Sequence, residues 1–408
     1  MLKKPSIALW MAVAILTATA TPALTQTNAT ATPALTQTKP TDPRPKPPAL
    51  AFTKILTPIP IPAGIGVDDQ LWGPTDDRQA LVRSIDHSLR YLQTPRAAEI
   101  YRKYPVAGVT RDRVQRSLTR FRQLVLTARS SQALQAAVEK EFVFFQAAGR
   151  DNRGTVQFTG YYEPIHEASR VPTAEFRYPL FRPPANLSRW QQPHPTRAQL
   201  EGRNGLQFDR TSLKGLPLVW LRDRLDAYLV QVQGSAKLKL TDGSIMTVGT
   251  AGYTNYPYTS IGKELLKSGK FKSSMTMETM IRYFKENPAE MDVYLPRNQR
   301  FIFFRETNGA PATGSLNVPV TAERSIATDK SLFPPGALAL IQTRLPYETS
   351  TKQIQPLQVS RYVLDQDTGS AIKGAGRVDV YIGTGKVAGD RAGQVNATGQ
   401  LYYLLLKR

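Results

Sequence analysis

Leu364-Asp-Gln-Asp-Thr-Gly-Ser-Ala-Ile-Lys-Gly-Ala-Gly-Arg-Val-Asp-Val-Tyr-Ile-Gly-Thr-Gly385 is the stretch around which the rest of the chain is read. It sets Asp365, Asp367 and Asp379 among glycines, which let a backbone turn sharply and approach a ligand closely. Between the glycines, Arg377 to Ile382 alternates polar and apolar residues, the period of a half-buried strand. Asp379 then points away from Val378 and Val380. A carboxyl fixed on a strand beside glycine turns has the positional accuracy that proton transfer requires. A solvated turn, where Asp and Gly are equally at home, is the alternative on this stretch alone.

The chain has 408 residues, 41% of them hydrophobic, enough for two or three domains with real cores. Lys3 and Lys4, the apolar run Ile7–Ala20 and the small-residue segment that follows read as a signal peptide over residues 1–25. The run is too short and too polar to span a bilayer, so the mature protein is expected to be exported with no transmembrane span. Ala20–Thr27 recurs letter for letter as Ala31–Thr38, and a proline-rich run follows, so residues 26–52 read as a Pro/Thr-rich linker. There is no cysteine, which excludes disulfides, thiolate chemistry and a lipid-bearing cysteine; a lipoprotein is not expected. The three histidines, His87, His166 and His194, do not pair at ligand spacing, so neither a metal site nor a Ser-His-Asp triad is expected, and no cofactor. A net charge of +21 draws a protein toward polyanions, but it is scattered and carries no nucleic-acid motif. The anionic surfaces an exported protein meets first are the cell wall and the membrane, and a merely solvated basic surface is the alternative.

Leu81, Ile85, Leu89 and Leu92 recur at helical spacing, as do Val114, Leu118, Phe121 and Val125 behind Thr110, a natural N-cap. Leu134, Val138, Phe142 and Phe145 suggest a third helix closing at Gly149. From Gly154 the texture turns to β-formers. Strands are expected at Thr155–Glu163, Leu218–Leu221, Ala227–Ser235, Phe301–Phe304, Leu338–Gln342, Tyr362–Leu364 and Leu401–Leu406. Asp242-Gly243 between alternating runs marks a hairpin, and short helices fit Ile261–Lys267 and Thr276–Glu286. Helices first and many short strands after give an α+β, mostly β chain with barrel-like sheets.

Two blocks are rich in sugar-binding chemistry: Phe158–Glu163, with a hydroxyl, two phenols and a carboxylate, and Thr250–Ser260, with three tyrosines. Tyrosine offers a sugar an apolar face and a polar tip, although strand propensity alone would also account for these rings. Together with Val230–Ser235, Tyr258–Gly262, Phe303–Glu306, Arg324–Asp329 and Asp367–Gly385, the ordered motifs resemble the membrane-bound lytic murein transglycosylase A family. The likeness runs from about Gly154 to the C-terminus.

The resemblance implies a double-psi β-barrel domain, with N-terminal helices, carrying a smaller inserted β domain and a glycan groove between the two. Residues 53–164 and 309–408 would form the barrel domain and 165–308 the insert. It implies non-hydrolytic cleavage of the MurNAc-β-1,4-GlcNAc bond of peptidoglycan, leaving 1,6-anhydro ends, by a monomer in the periplasm or at the outer membrane. Asp379 aligns with the family's acid/base, and Asp367 and Asp329 with its other recurring aspartates. Candidate substrate-binding residues are Thr159, Gly160, Tyr161, Tyr162, Glu163, Gln233, Gly234, Ser235, Tyr253, Tyr258, Ser260, Lys373 and Arg377. The Thr250–Tyr258 block is less glycine-rich than the family's version. One carboxyl suffices for this chemistry because the substrate's own C6 hydroxyl is the nucleophile, whereas ordinary glycosidases need two. The rivals are a non-catalytic wall-binding or remodelling protein, and a two-carboxylate glycoside hydrolase using Glu163.

Overall fold

The computed structural model describes residues 55–60, 65–73, 77–271 and 275–408; the expected signal peptide and linker, residues 1–52, lie outside them. After a first strand β1 (Leu56–Ile59) come four helices: α1 (Arg78–Leu92), α2 (Pro95–Arg102), α3 (Arg111–Thr127) and α4 (Ser131–Glu141). Three of them start on a hydroxyl cap: Thr94, Thr110 and Ser130 accept from the backbone N–H three residues on. The third helical stripe does not run on to Gly149. Helix α4 ends at Glu141, and Phe142–Ala147 forms strand β2. A β-forming run of Phe and Val, paired on both sides by β1 and a later strand, outweighs the spacing that Phe142 and Phe145 share with Leu134 and Val138.

Strand β3 (Val156–Glu163) leads directly into a six-stranded sheet. Its strands are β4 (Ile165–Ser169), β5 (Tyr178–Phe181), β6 (Pro217–Leu221), β7 (Ser235–Leu240), β8 (Ile245–Tyr253) and β9 (Ile302–Glu306), in the order β5-β6-β4-β7-β8-β9. The Asp242-Gly243 turn joins β7 and β8 in an antiparallel pair, with Gly243 at φ 84°. Helices α5 (Arg197–Glu201), α6 (Arg224–Gln233), α7 (Ile261–Lys267), α8 (Met277–Glu286) and α9 (Met291–Tyr294) are interspersed. Helix α6 replaces the strand expected at Ala227–Ser235. The Asp223 carboxylate caps the N–H groups of Leu225 (2.6 Å) and Asp226 (3.3 Å), and Gly234 takes the left-handed conformation that ends a helix. Leu225, Ala227, Tyr228, Leu229 and Val230 are all buried, so α6 is apolar on most sides and imitates a buried strand in sequence.

The chain then returns through β10 (Ser325–Ala327), β11 (Leu338–Glu348), β12 (Ile354–Asp367), β13 (Arg377–Thr384), α10 (Lys386–Ala392) and β14 (Asn396–Leu406). Strands β14-β11-β12-β10-β13-β3 follow one another, and β3 pairs back onto β14, closing a six-stranded barrel. Strands β1 and β2 extend it beyond β14. Closure brings β3 beside β13, although 220 residues separate the side chains that meet there. Val156 and Phe158 on β3 and Val378 and Val380 on β13 are buried in the core, so Thr159 and Asp379 face the other way.

The helical layer is fastened to the barrel by buried polar contacts as well as apolar ones. Arg324, fully buried just before β10, is ion-paired to Asp68 (2.5 Å) and Asp77 (2.6 Å), and Arg361 shares Asp68 at 2.9 Å. Gln366 of β12 donates to the Ser84 carbonyl (2.7 Å) and Ser88 hydroxyl (3.0 Å) of α1. Removing one partner of a buried pair leaves an uncompensated charge and costs about 3–5 kcal/mol. These contacts fix β10 and the end of β12, the two strands that support the row described next.

Candidate active site

The registers of four neighbouring strands put Asp367 of β12, Ala327 of β10, Asp379 of β13 and Thr159 of β3 in one row across the barrel wall. A register shift between Ile326 and Ala327 makes Ala327 face Asp367 and not the next residue in sequence. Two strand spacings, about 10 Å, therefore separate the backbones of Asp367 and Asp379.

Asp379 accepts a 2.8 Å hydrogen bond from the Thr159 hydroxyl, which in turn accepts one of 3.0 Å from the Arg377 guanidinium. Its side retains partial solvent access, while protein crowds the carboxyl elsewhere. That crowding pushes its pKa up to about 6; the Thr159 bond and the Arg377 charge pull down, and Asp367 pushes up. The Tyr258 phenol, also raised by burial, feels the charges of both Arg377 and Asp379, so it stands within electrostatic reach of the row.

Asp367 is held on both oxygens. Oδ1 accepts from the N–H groups of Ser315 (2.8 Å) and Thr368 (2.7 Å), and Oδ2 from the Tyr161 hydroxyl (2.9 Å). Burial raises its pKa against these bonds and the Lys330 charge. Beneath it, Lys330 reaches the Asp367 carbonyl and the fully buried Asp365, which also accepts from Thr328 and Tyr403. Asp365 stood out in sequence only as one of the aspartates beside the glycine run, with nothing to mark it as buried, and Lys330 carried no signal separating it from ordinary turn residues. Asp329 lies off the row: it accepts from Ser331 Oγ (2.7 Å) and the Gly374 N–H (2.8 Å), pinning the glycine turn that precedes β13. Burial opposes ionisation there, but these bonds and the Lys373 charge outweigh it and lower the pKa.

The remaining candidates divide. The Tyr162 N–H donates to Gln233 Oε1 (3.2 Å), joining β3 to the end of α6; Gly234 follows as its cap and Ser235 opens β7. Gly160 sits where an added Cβ would meet Ala392 at 2.9 Å. Ser260 caps α7 and hydrogen-bonds Tyr258. Glu163 is buried, accepts from Thr384 Oγ1 (2.8 Å) and lies 3.9 Å from Lys237 of the second sheet; burial raises its pKa. Tyr253 is 53% exposed with the Arg300 guanidinium 4.0 Å from its ring centre, and Lys373 is exposed. Among the described residues no group of three His, Cys, Asp or Glu could hold a metal, and no helix is long and apolar enough to cross a membrane.

The chain is thus a closed barrel interrupted by a second sheet, with a partly accessible aspartate of raised pKa on its wall, and the likenesses that follow make it a lytic murein transglycosylase, a lyase that acts on peptidoglycan. Residues 157–305 match the MltA specific insert domain and residues 324–405 the 3D domain. The chain is 34% identical to membrane-bound lytic murein transglycosylase A of Escherichia coli over 263 residues, 64% of this chain and 68% of that one. The E. coli MltA structure with bound chitohexaose superposes with a TM-score of 0.66 at 26% identity, covering 91% of this chain and all of that one. A membrane-bound lytic murein transglycosylase from Agrobacterium tumefaciens gives 0.65 at 26% identity, over 86% and 97% of the two chains. The chain belongs to the membrane-bound lytic murein transglycosylase A family.

Proposed function

We propose that the protein cleaves the MurNAc-β-1,4-GlcNAc bond of peptidoglycan without water, with Asp379 as its single acid/base. The protonated Asp379 gives its proton to the glycosidic oxygen, and the C1–O bond breaks, releasing the GlcNAc 4-hydroxyl. The positive charge that develops at C1 is met by the muramyl C6 oxygen. Its proton passes to the Asp379 carboxylate, closing the 1,6-anhydro ring and restoring the acid. A pKa of about 6 keeps roughly a tenth of Asp379 protonated at pH 7 and leaves the carboxylate basic enough to take the proton back. Thr159 orients one oxygen through its 2.8 Å bond.

The observation that carries this reading is the contrast between Asp379 and the other carboxyls. Asp367 is occupied by two N–H groups and a phenol, and Glu163 is buried against Thr384 and Lys237. Neither is poised as the second group that hydrolysis needs. The glycan would lie between the barrel wall and the inserted sheet, against Tyr161, Tyr258 and Arg377. On the same reading the barrel is double-psi, built from 53–164 and 309–408 around an insert at 165–308. The enzyme is exported to the envelope after loss of its leader and acts as a monomer. The test is Asp379→Asn on purified sacculi: anhydro-muropeptide release falls by at least about a hundred- to ten-thousand-fold while strand binding persists. Near-normal release would remove Asp379 from the role.

A further inference from the structure

Beside Tyr258 the inserted part of the chain holds a pocket of about 120 Å³. Leu229 and Val232 of α6 and Met275, Met277 and Met280 around the start of α8 give it an apolar wall. Tyr258 and Ser260 supply its polar groups. Methionines fill irregular space and adapt to apolar guests, and apolar pockets with a few polar groups are the usual form of a small-ligand site. Nothing in the acid–base chemistry uses this space, yet Tyr258 joins the two: one side of it lines the pocket, and its phenol feels Asp379 and Arg377.

We propose that this pocket receives the substituent carried by the muramyl sugar, the lactyl ether together with the alanine that begins the peptide stem. The proposal rests on the transglycosylase reading of the neighbouring site. Size selects the guest. A water-sized group needs about 10–15 Å³ of such space, so the pocket holds on the order of ten non-hydrogen atoms. An acetamido group would leave it more than half empty, whereas a lactyl-alanyl unit fills it. Chemistry agrees: the unit presents two methyl groups to the methionine and aliphatic wall and amide and ether atoms to Tyr258 and Ser260. The pocket would thereby make cleavage sensitive to whether a strand still carries its stems.

The test compares glycan strands bearing stems with the same strands after an amidase has removed them, using the full mature chain. Wild-type kcat/KM for anhydro-end release should be about tenfold higher on stem-bearing strands, the worth of burying two methyl-sized groups. Met277→Trp, which fills the pocket from its partly exposed edge, should bring the two substrates within about twofold of each other by lowering only the first. Val232→Phe, a smaller intrusion from the opposite wall, should do the same in part, and unchanged thermal unfolding of either variant certifies its fold. In parallel, N-acetylmuramyl-L-alanine should bind Asp379→Asn more tightly than N-acetylglucosamine does, and the difference should vanish when Met277→Trp is added. Equal wild-type rates on both strands, or folded pocket variants that slow both alike, overturn the proposal. No cleavage of either strand, with the binding difference intact, would sink the transglycosylase reading and still support the pocket.

Discussion

Asp379→Asn should make the folded protein more stable at neutral pH while removing its activity. The carboxyl has a pKa of about 6 in the fold against 3.8 for an ordinary Asp. The folded chain therefore holds a proton that the unfolded chain has released, and wild-type stability falls as pH rises from about 4 through 6. Two pH units correspond to about 3 kcal/mol, and solvent reaching the carboxyl from its open side trims this to roughly 1–3 kcal/mol. Asparagine keeps the shape and still accepts the bond from Thr159, but carries no charge to desolvate. Urea denaturation of wild type and variant at pH 4 and pH 7.5 separates the effects: the variant should gain about 1–3 kcal/mol at pH 7.5 and almost nothing at pH 4. A gain of equal size at both pH values, or a loss at pH 7.5, would refute the idea that burial raises this carboxyl.

Three further outcomes follow from the same geometry. Thr159→Val removes a bond that favours the ionised form, so the alkaline limb of the kcat/KM profile should move up from about 6 by about one pH unit, with a lower maximal rate; a limb that stays or moves down would break the link between Thr159 and Asp379. Glu163→Gln should leave anhydro-end release within about threefold, because its carboxyl is spent on Thr384 and Lys237; a loss as deep as that of Asp379→Asn would transfer the acid role. Gly399→Ala would push a Cβ to 2.1 Å from the Gln342 carbonyl in the β11–β14 seam, and chemical denaturation should register a loss of about 2 kcal/mol or more; an unchanged midpoint would mean that this seam yields.

Local signals were legible in the sequence where local chemistry decides. Thr110 caps α3, Asp242-Gly243 turns the β7–β8 hairpin, and Arg377–Ile382 alternates as a strand. Helix α6 was hidden because its apolar residues cover most of its faces, and the deciding groups, Asp223 and Gly234, stand just outside the run. Phe142 shares a helical spacing with Val138 yet belongs to a strand, since its pairing partners come from the other end of the chain. The row of Asp367, Ala327, Asp379 and Thr159 depends on barrel closure and on a register shift, neither of which a linear pattern contains. Family likeness alone pointed to those residues together. Asp365 illustrates the remainder: it stands two residues from Asp367, but the shifted register buries it on Lys330 and Tyr403.

The central claim is that the muramyl C6 hydroxyl, not water, takes the broken bond. Digestion of purified sacculi in water enriched in oxygen-18, followed by mass spectrometry of the released muropeptides, tests it in one measurement. The account predicts ends lighter by one water than hydrolytic products and free of label. Reducing ends carrying oxygen-18 would contradict it and require a second catalytic carboxyl beside Asp379.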